Sequence, residues 1–225
     1  MKILLQGASG RMGQQILRSG EERGHEIFPL PRGKVFAGES VDVLIDFSRP
    51  AGTAAAAAVA LHQRIPLVSG TTDLGGEVLS LLRAAAEKIP VVHAPNFALG
   101  MGLFRKILRQ LAASLPEEFA IEIVETHHRH KKDMPSGTAK NLAEIMESAR
   151  VATRGKSRPI GMHSLRGGDV FGEHEVRFLG EGETLRLSHG ALHRGVFAAG
   201  ALHVAEIFVR DRFPPKFYEL EDIFS

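Results

Sequence analysis

The chain contains no cysteine. Disulfides, thiolate nucleophiles and cysteine-ligated zinc are excluded at once. A strong charge of one sign is also missing. The 28 Lys and Arg stand against 26 Asp and Glu, for a formal net charge of +2. So mild a balance does not imply nucleic acid by itself, and it suits an acidic small molecule no worse. No run approaches the ~18 apolar residues of a membrane span. The longest candidate, 54–61, is mostly alanine and reads as a buried helix. At the N-terminus the apolar run Ile3-Leu4-Leu5 is too short for the core of a signal peptide. The expectation is a cytoplasmic protein with no nucleic acid and no membrane among its partners. Internal repeats and low-complexity linkers are absent as well. What is present is ordinary: 225 residues, 44% hydrophobic and 24% charged, enough for one large domain or two small ones.

The first hundred residues alternate short apolar runs with helical patterns. Strands are expected at 2–6, 25–30, 41–47, 66–69 and 90–94, and helices at 11–23, 51–63 and 76–88. The run VDVLIDF at 41–47 is almost continuously apolar, as suits a strand covered on both faces. This βαβ alternation predicts a Rossmann-type, doubly wound parallel sheet. After Phe97 the character changes. A helix over 99–115, a strand over 119–125, a helix over 136–149 and strands at 161–165, 173–179 and 184–188 predict a smaller α+β domain with a mixed or antiparallel sheet. A last helix over 195–210 has a pattern that could pack back on the first domain. The expected division is therefore 1–98 with 199–225 as a dinucleotide-binding domain, and 99–198 as a substrate-binding and oligomerisation domain.

Gly7-Ala8-Ser9-Gly10-Arg11-Met12-Gly13 leaves the first strand and opens the first helix. Exposed N–H groups and the helix dipole favour an anion there, and Gly10 would let a pyrophosphate approach. The spacing is GxxGxxG, not the usual GxGxxG. A tight strand–helix turn without a ligand is the alternative. The acid that ordinarily meets the adenosine ribose after the second strand is missing. The stretch 28–34 offers Arg32 and Lys34 instead. They are either partners of a 2′-phosphate, which favours NADPH, or two solvated loop cations. Gly70-Thr71-Thr72 and Ala94-Pro95-Asn96-Phe97 end two further strands on the same expected edge, where nicotinamide, ribose or substrate would lie.

The segment 122–139, EIVETHHRHKKDMPSGTA, carries the chemistry. It leaves a strand, gathers histidines and cations, and opens a helix for which Ser136 is a natural N-cap. N–H groups of Gly137 and Thr138 in the first turn would bind an anion, such as a carboxylate. The cations before it would add charge-assisted bonds to a dianionic substrate. A histidine among cations has its charged form disfavoured, and could become a general acid when substrate arrives. A solvated basic surface is the plainer reading, although no aromatics are interleaved for single-stranded nucleic acid. No metal site is expected. His127 and His128 point to opposite sides of an extended segment, and no acid is spaced to join them.

This segment resembles the signature of dihydrodipicolinate reductases, E-[IV]-x-E-x-H-x-x-x-K-x-D-x-P-S-G-T-A, at every fixed position. The resemblance extends to GASGRMG at 7–13, DFSRP at 46–50, GTT at 70–72, PNF at 95–97, HSLRGGDVFGEHEV at 163–176 and the R-x-x-F-A-x-G-A stretch at 194–201. It implies an NADPH- or NADH-dependent reductase of a cyclic dicarboxylate in lysine and diaminopimelate synthesis. Gly7, Ala8, Ser9, Gly10, Arg11 and Met12 would hold the dinucleotide. Gly70, Thr71, Thr72 and the Ala94, Pro95, Asn96, Phe97 loop would line its nicotinamide end. His127 matches the family's proton donor and Lys131 its catalytic lysine, while His128, Gly137 and Thr138 match substrate-binding positions. The resemblance also implies a homotetramer built through the sheet of the second domain. His163, His174, His189, His193 and His203 are assigned to structure. The stretch between Gly24 and Val41 is shorter than in many members.

Overall fold

The structure is a computed structural model and describes residues 1–30 and 40–224. Arg32 and Lys34 lie outside the described residues. The chain forms two compact units, 1–99 with 194–225, and 100–193.

In the first unit, β1 (Lys2–Gln6), α1 (Arg11–Glu22), β2 (Glu26–Pro29), β3 (Val43–Asp46), α2 (Pro50–Gln63), β4 (Leu67–Ser69), α3 (Gly76–Ala85) and β5 (Pro90–His93) follow one another. The chain returns to it with α6 (Gly195–Asp211) and β10 (Lys216–Tyr218). All six strands are parallel, in the order β10-β5-β4-β3-β1-β2. Period-two geometry divides each strand between two cores. Ile3, Leu5 and Ile45 face α1 and α6, where Ile16, Ala201, Leu202 and Phe208 are buried. Leu4, Leu44 and Leu67 face α2 and α3, where Ala56, Ala60 and Leu82 are buried. The alanines of α2 let that helix lie close to the sheet. Gly200 lets α6 lie close to the loop after β5: a Cβ there would stand 1.7 Å from the Phe97 carbonyl oxygen.

The second unit holds most of α4 (Leu99–Ser114), then β6 (Ala120–His127), α5 (Gly137–Arg154), β7 (Gly161–Arg166), β8 (Glu173–Leu179) and β9 (Thr184–Gly190). Its sheet has the order β7-β6-β8-β9 and is mixed, with β6–β7 parallel and the other pairs antiparallel. Burial alternates strictly along β6 and β8. The inner face is apolar at one end, with Ile121, Ile123, Val176 and Phe178 buried. At the other end it turns polar, with Glu125, His127 and His174 buried. Among the described residues, no helix is long and apolar enough to cross a membrane.

β10 is the strand that sequence patterning did not supply. It is three residues long and follows Pro214 and Pro215. Alternation cannot be read over so short a run; pairing with β5 creates the strand.

Candidate active site

Four loops leave the carboxyl ends of β1, β3, β4 and β5, and Phe47 ties them together. Gly7, at φ +87, has no room for a side chain, since a Cβ would sit 2.3 Å from the Phe47 carbonyl oxygen. A Cβ at Gly70 would strike the Phe47 ring at 2.2 Å, and the Phe47 and Phe97 rings are 5.8 Å apart. Gly13 lies against the Gly7 carbonyl oxygen, only 2.2 Å from where its Cβ would be. Strand and helix are therefore pressed together by missing side chains.

The N-terminus of α1 is open to an anion. Gly10 caps it with backbone only, no side chain accepts from the first turn, and no acid stands in that turn. Ser9, Gly10 and Arg11 are exposed, and Gly7, Ala8 and Met12 are half-buried. Arg11 brings a cation to the same turn. These features fit the pyrophosphate of a dinucleotide. At the other loops the placement is mixed. Thr72 and Pro95 are exposed and Asn96 is half-buried, its Oδ1 accepting from the Ala98 N–H at 2.9 Å. Thr71, Ala94, Gly70 and Phe97 are buried, so they shape the loops and can offer a ligand little but backbone.

A buried carboxylate organises these loops. Asp46, at the end of β3, accepts hydrogen bonds from Thr53 Oγ1 (2.7 Å), Ser69 Oγ (2.9 Å), Thr71 Oγ1 (3.0 Å) and the Ser48 hydroxyl. Hydroxyls from α2, β4 and the 70–72 loop thus replace the water that Asp46 has lost.

The second constellation lies within the other unit, where β6 gives way to α5. Alternation puts Glu125 and His127 on the inner face together. The register sets Arg166 of β7 beside His127, and His174 of β8 opposite Glu125. Glu125 is fully buried. It accepts from the His127 Nδ1–H, from Arg166 Nη1 at 2.9 Å and Nη2 at 2.7 Å, and from the Ser136 N–H at 3.2 Å. Burial alone would raise the Glu125 pKa. Hydrogen bonds from Arg166, Ser164 and His127 outweigh it and hold the carboxyl at about 2. Losing one partner of such a buried pair costs about 3–5 kcal/mol.

His127 is itself mostly buried, which pushes its pKa down. The Lys131 and Arg166 charges push the same way, and Glu125 opposes them. The His174 ring meets His127 edge-on, with centroids 5.2 Å apart. Its Nε2 lies 3.2 Å from Ser136 Oγ, and burial followed by the charge on His127 lowers its pKa to about 4. His174 therefore stands as a neutral wall of the site. Gly172, at φ +152, forms another, since a Cβ there would come within 2.9 Å of His127 Nε2.

Ser136 caps α5, as its position promised: its Oγ accepts from the Ala139 N–H at 3.1 Å. Gly137 is exposed and Thr138 half-buried in the first turn. A carboxylate already lies at this helix start. Asp133 is bound by Lys131 Nζ at 2.8 Å and receives the Gly137 N–H. Lys131 first, then the helix start, hold the Asp133 carboxyl below its ordinary range. Arg166 Nη2 also donates to the Asp133 carbonyl at 2.7 Å, fastening the loop to the sheet. His128 is half-buried beside the His130 ring.

The structure thus gathers His127, Lys131, Gly137 and Thr138 at one strand–helix junction. Sequence reasoning overlooked Glu125, Arg166 and Gly172 there. The Glu-x-His spacing on a strand was a usable signal for Glu125. Nothing local marks Arg166, which arrives through a long-range register.

Comparison with known proteins shows the family. Residues 32–97 match the family model described as dihydrodipicolinate reductase, N-terminus, and residues 100–224 match that of its C-terminus. A protein of Archaeoglobus fulgidus named 4-hydroxy-tetrahydrodipicolinate reductase is 35% identical over 99% of each chain. One of the same name from Xanthomonas campestris pv. campestris is 38% identical, over 99% of this chain and 97% of its own. The dipicolinate-bound dihydrodipicolinate reductase of Paenisporosarcina sp. TG-14 superposes with a TM-score of 0.80 at 24% identity, over 99% of both chains. The chain belongs to the dihydrodipicolinate reductase family.

Proposed function

We propose that this chain reduces 4-hydroxy-tetrahydrodipicolinate to tetrahydrodipicolinate with NADPH or NADH, in lysine and diaminopimelate synthesis. The observation that carries the reading is the Asp133 carboxylate between Lys131 Nζ and the Gly137 N–H. An ammonium and a helix start hold a carboxylate there, close enough to His127 for the Lys131 charge to act on its pKa. A ring dicarboxylate needs such a place, with a proton source beside it.

Arg11 and the first turn of α1 would hold the pyrophosphate, with the 70–72 and 94–97 loops at the nicotinamide end. The reduced nicotinamide supplies a hydride when bound. The protein's own part is to bind the two carboxylates, orient the ring and deliver one proton to the ring after the hydride has been added, the 4-hydroxyl having left as water with a hydrogen from the neighbouring ring carbon. Thr138 and the Gly137 N–H take one carboxylate, with Gly137 and Lys131 exchanging from Asp133 to substrate. His128 offers a further polar contact. His127 is the proton donor. Its lowered pKa leaves it largely neutral in the free protein. Two incoming carboxylates favour its charged form, so it becomes an acid when substrate is present.

The resemblance further implies a homotetramer built through the second unit's sheet, and the lack of a long apolar run at the N-terminus supports a cytoplasmic place for it. The outer face of that sheet supports this assembly with exposed Leu165 and Leu179 and the charges of Glu122, Glu175 and Arg177. The basic Arg32 and the absence of an acid at 28–34 favour NADPH.

Titration calorimetry with dipicolinate tests the substrate class. Saturable binding is expected, weakened about tenfold by Thr138→Ala, the value of one hydrogen bond to a charged group. In turnover the same variant raises KM and leaves kcat nearly unchanged. Absence of dipicolinate binding by the folded wild-type protein overturns the reading.

A further inference from the structure

We infer that Glu125 and Arg166 are positioning residues for the reduction: the carboxylate fixes the tautomer of His127 and supports its charged form, and Arg166 aims the carboxylate. The inference rests on His127 being the proton donor, and adds to it what selects the reactive nitrogen.

Three observations carry it. Glu125 is fully buried, yet ionised, because Arg166 grips both its oxygens. A carboxylate can only accept. The ring nitrogen facing it, His127 Nδ1, must therefore carry a hydrogen, even when the ring is neutral. That leaves Nε2 to gain and give the exchangeable proton. Nε2 is the nitrogen on the Gly172 side, where a Cβ would stand only 2.9 Å from it. The order along the chain is guanidinium, carboxylate, imidazole, with each group set by the one behind it.

The charges around His127 come from several elements. Glu125 on β6 favours its proton, while Arg166 on β7 and Lys131 on the following loop oppose it. Asp133 offsets Lys131. His174 on β8 stands against the ring, with His189 on β9 beyond it; burial lowers the pKa of both. Glu125 is thus the one carboxylate in direct contact with the ring among the described residues. Removing its charge lowers the His127 pKa further. An acid is active while protonated, so the activity limb that falls with rising pH must move to lower pH.

The first measurement needs no variant. Two-bond 1H–15N correlation spectra of the wild-type protein, with His127 assigned from a His127→Gln sample, report the tautomer of the neutral ring. Nδ1–H is expected; an Nε2–H or an equal mixture overturns the inference. In turnover, Glu125→Gln moves the falling limb of kcat about 1–3 pH units lower, the reach of one nearby charge. KM changes less than about threefold. Glu125→Asp keeps the charge and restores the wild-type limb, at reduced kcat. An unmoved limb in a folded Glu125→Gln protein also overturns the inference. Full turnover in His127→Ala sinks the underlying reading instead, whatever the tautomer.

Discussion

His127→Ala lowers kcat by about 10²- to 10⁴-fold, the range of a lost general acid, and leaves KM within a few fold. The asymmetry follows from where the ring sits. His127 is 8% exposed and spends Nδ1 on Glu125, so it offers little to ground-state binding. Its one free nitrogen serves the transition state, when the reduced ring takes up a proton. Interactions made only there appear in kcat. The fold should survive. Alanine deletes one donor to Glu125, which keeps Arg166 on both oxygens and the Ser136 N–H. Steady-state kinetics with a saturating reduced nicotinamide, beside a melting curve, checks both halves. A kcat within threefold of wild type removes His127 from the reaction.

Lys131→Ala acts differently, lowering kcat and raising KM together. The ammonium is the cation that binds the carboxylate at the start of α5 in this structure, by way of Asp133. Hydrogen bonds to charged groups are worth about 1.5–3 kcal/mol, hence roughly ten- to a hundredfold in kcat/KM. Its removal has a second consequence. Asp133 is left on the Gly137 N–H with no cation, and repels the incoming dianion. Lys131→Ala/Asp133→Asn should therefore recover part of the KM. Lys131→Arg retains charge but presents a broad planar fork to a loop shaped for a point charge, and recovers less. An unchanged kcat/KM in Lys131→Ala takes the lysine out of the site.

The sequence already spelled out most of the fold, because its signals were local and repeated. Near-continuous apolar runs such as VLID in β3 announced strands covered on both faces, and the burial of all four residues bears this out. The alternation along β6 announced a sheet with one buried face. The α5 start was legible to the residue, since Ser136 supplies the cap with its own side chain. What stayed hidden depended on partners far along the chain. Three residues of β10 become a strand only against β5. Arg166 meets Glu125 across 41 positions. Hydroxyls of Ser69 and Thr71 turn inward because Asp46 is buried beside them, which needs β3, β4 and the 70–72 loop to meet. Nothing local in the sequence names Asp46 as the partner of the Thr71 hydroxyl. His174 looked merely structural, and its burial agrees, yet it is packed on the ring it was kept apart from. The i, i+2 rule that separated His127 from His128 also joined Glu125 to His127, so that pair was readable in principle.

The central claim is a reaction, and a coupled assay tests it most directly. Pyruvate, aspartate semialdehyde and a dihydrodipicolinate synthase generate the substrate in place, and the loss of reduced-nicotinamide absorbance is followed with NADPH and with NADH. The account predicts substrate-dependent oxidation, lowered by about 10²- to 10⁴-fold in His127→Ala, with a higher kcat/KM for NADPH than for NADH. A folded protein that binds dinucleotide and oxidises neither cofactor when substrate is formed would contradict it.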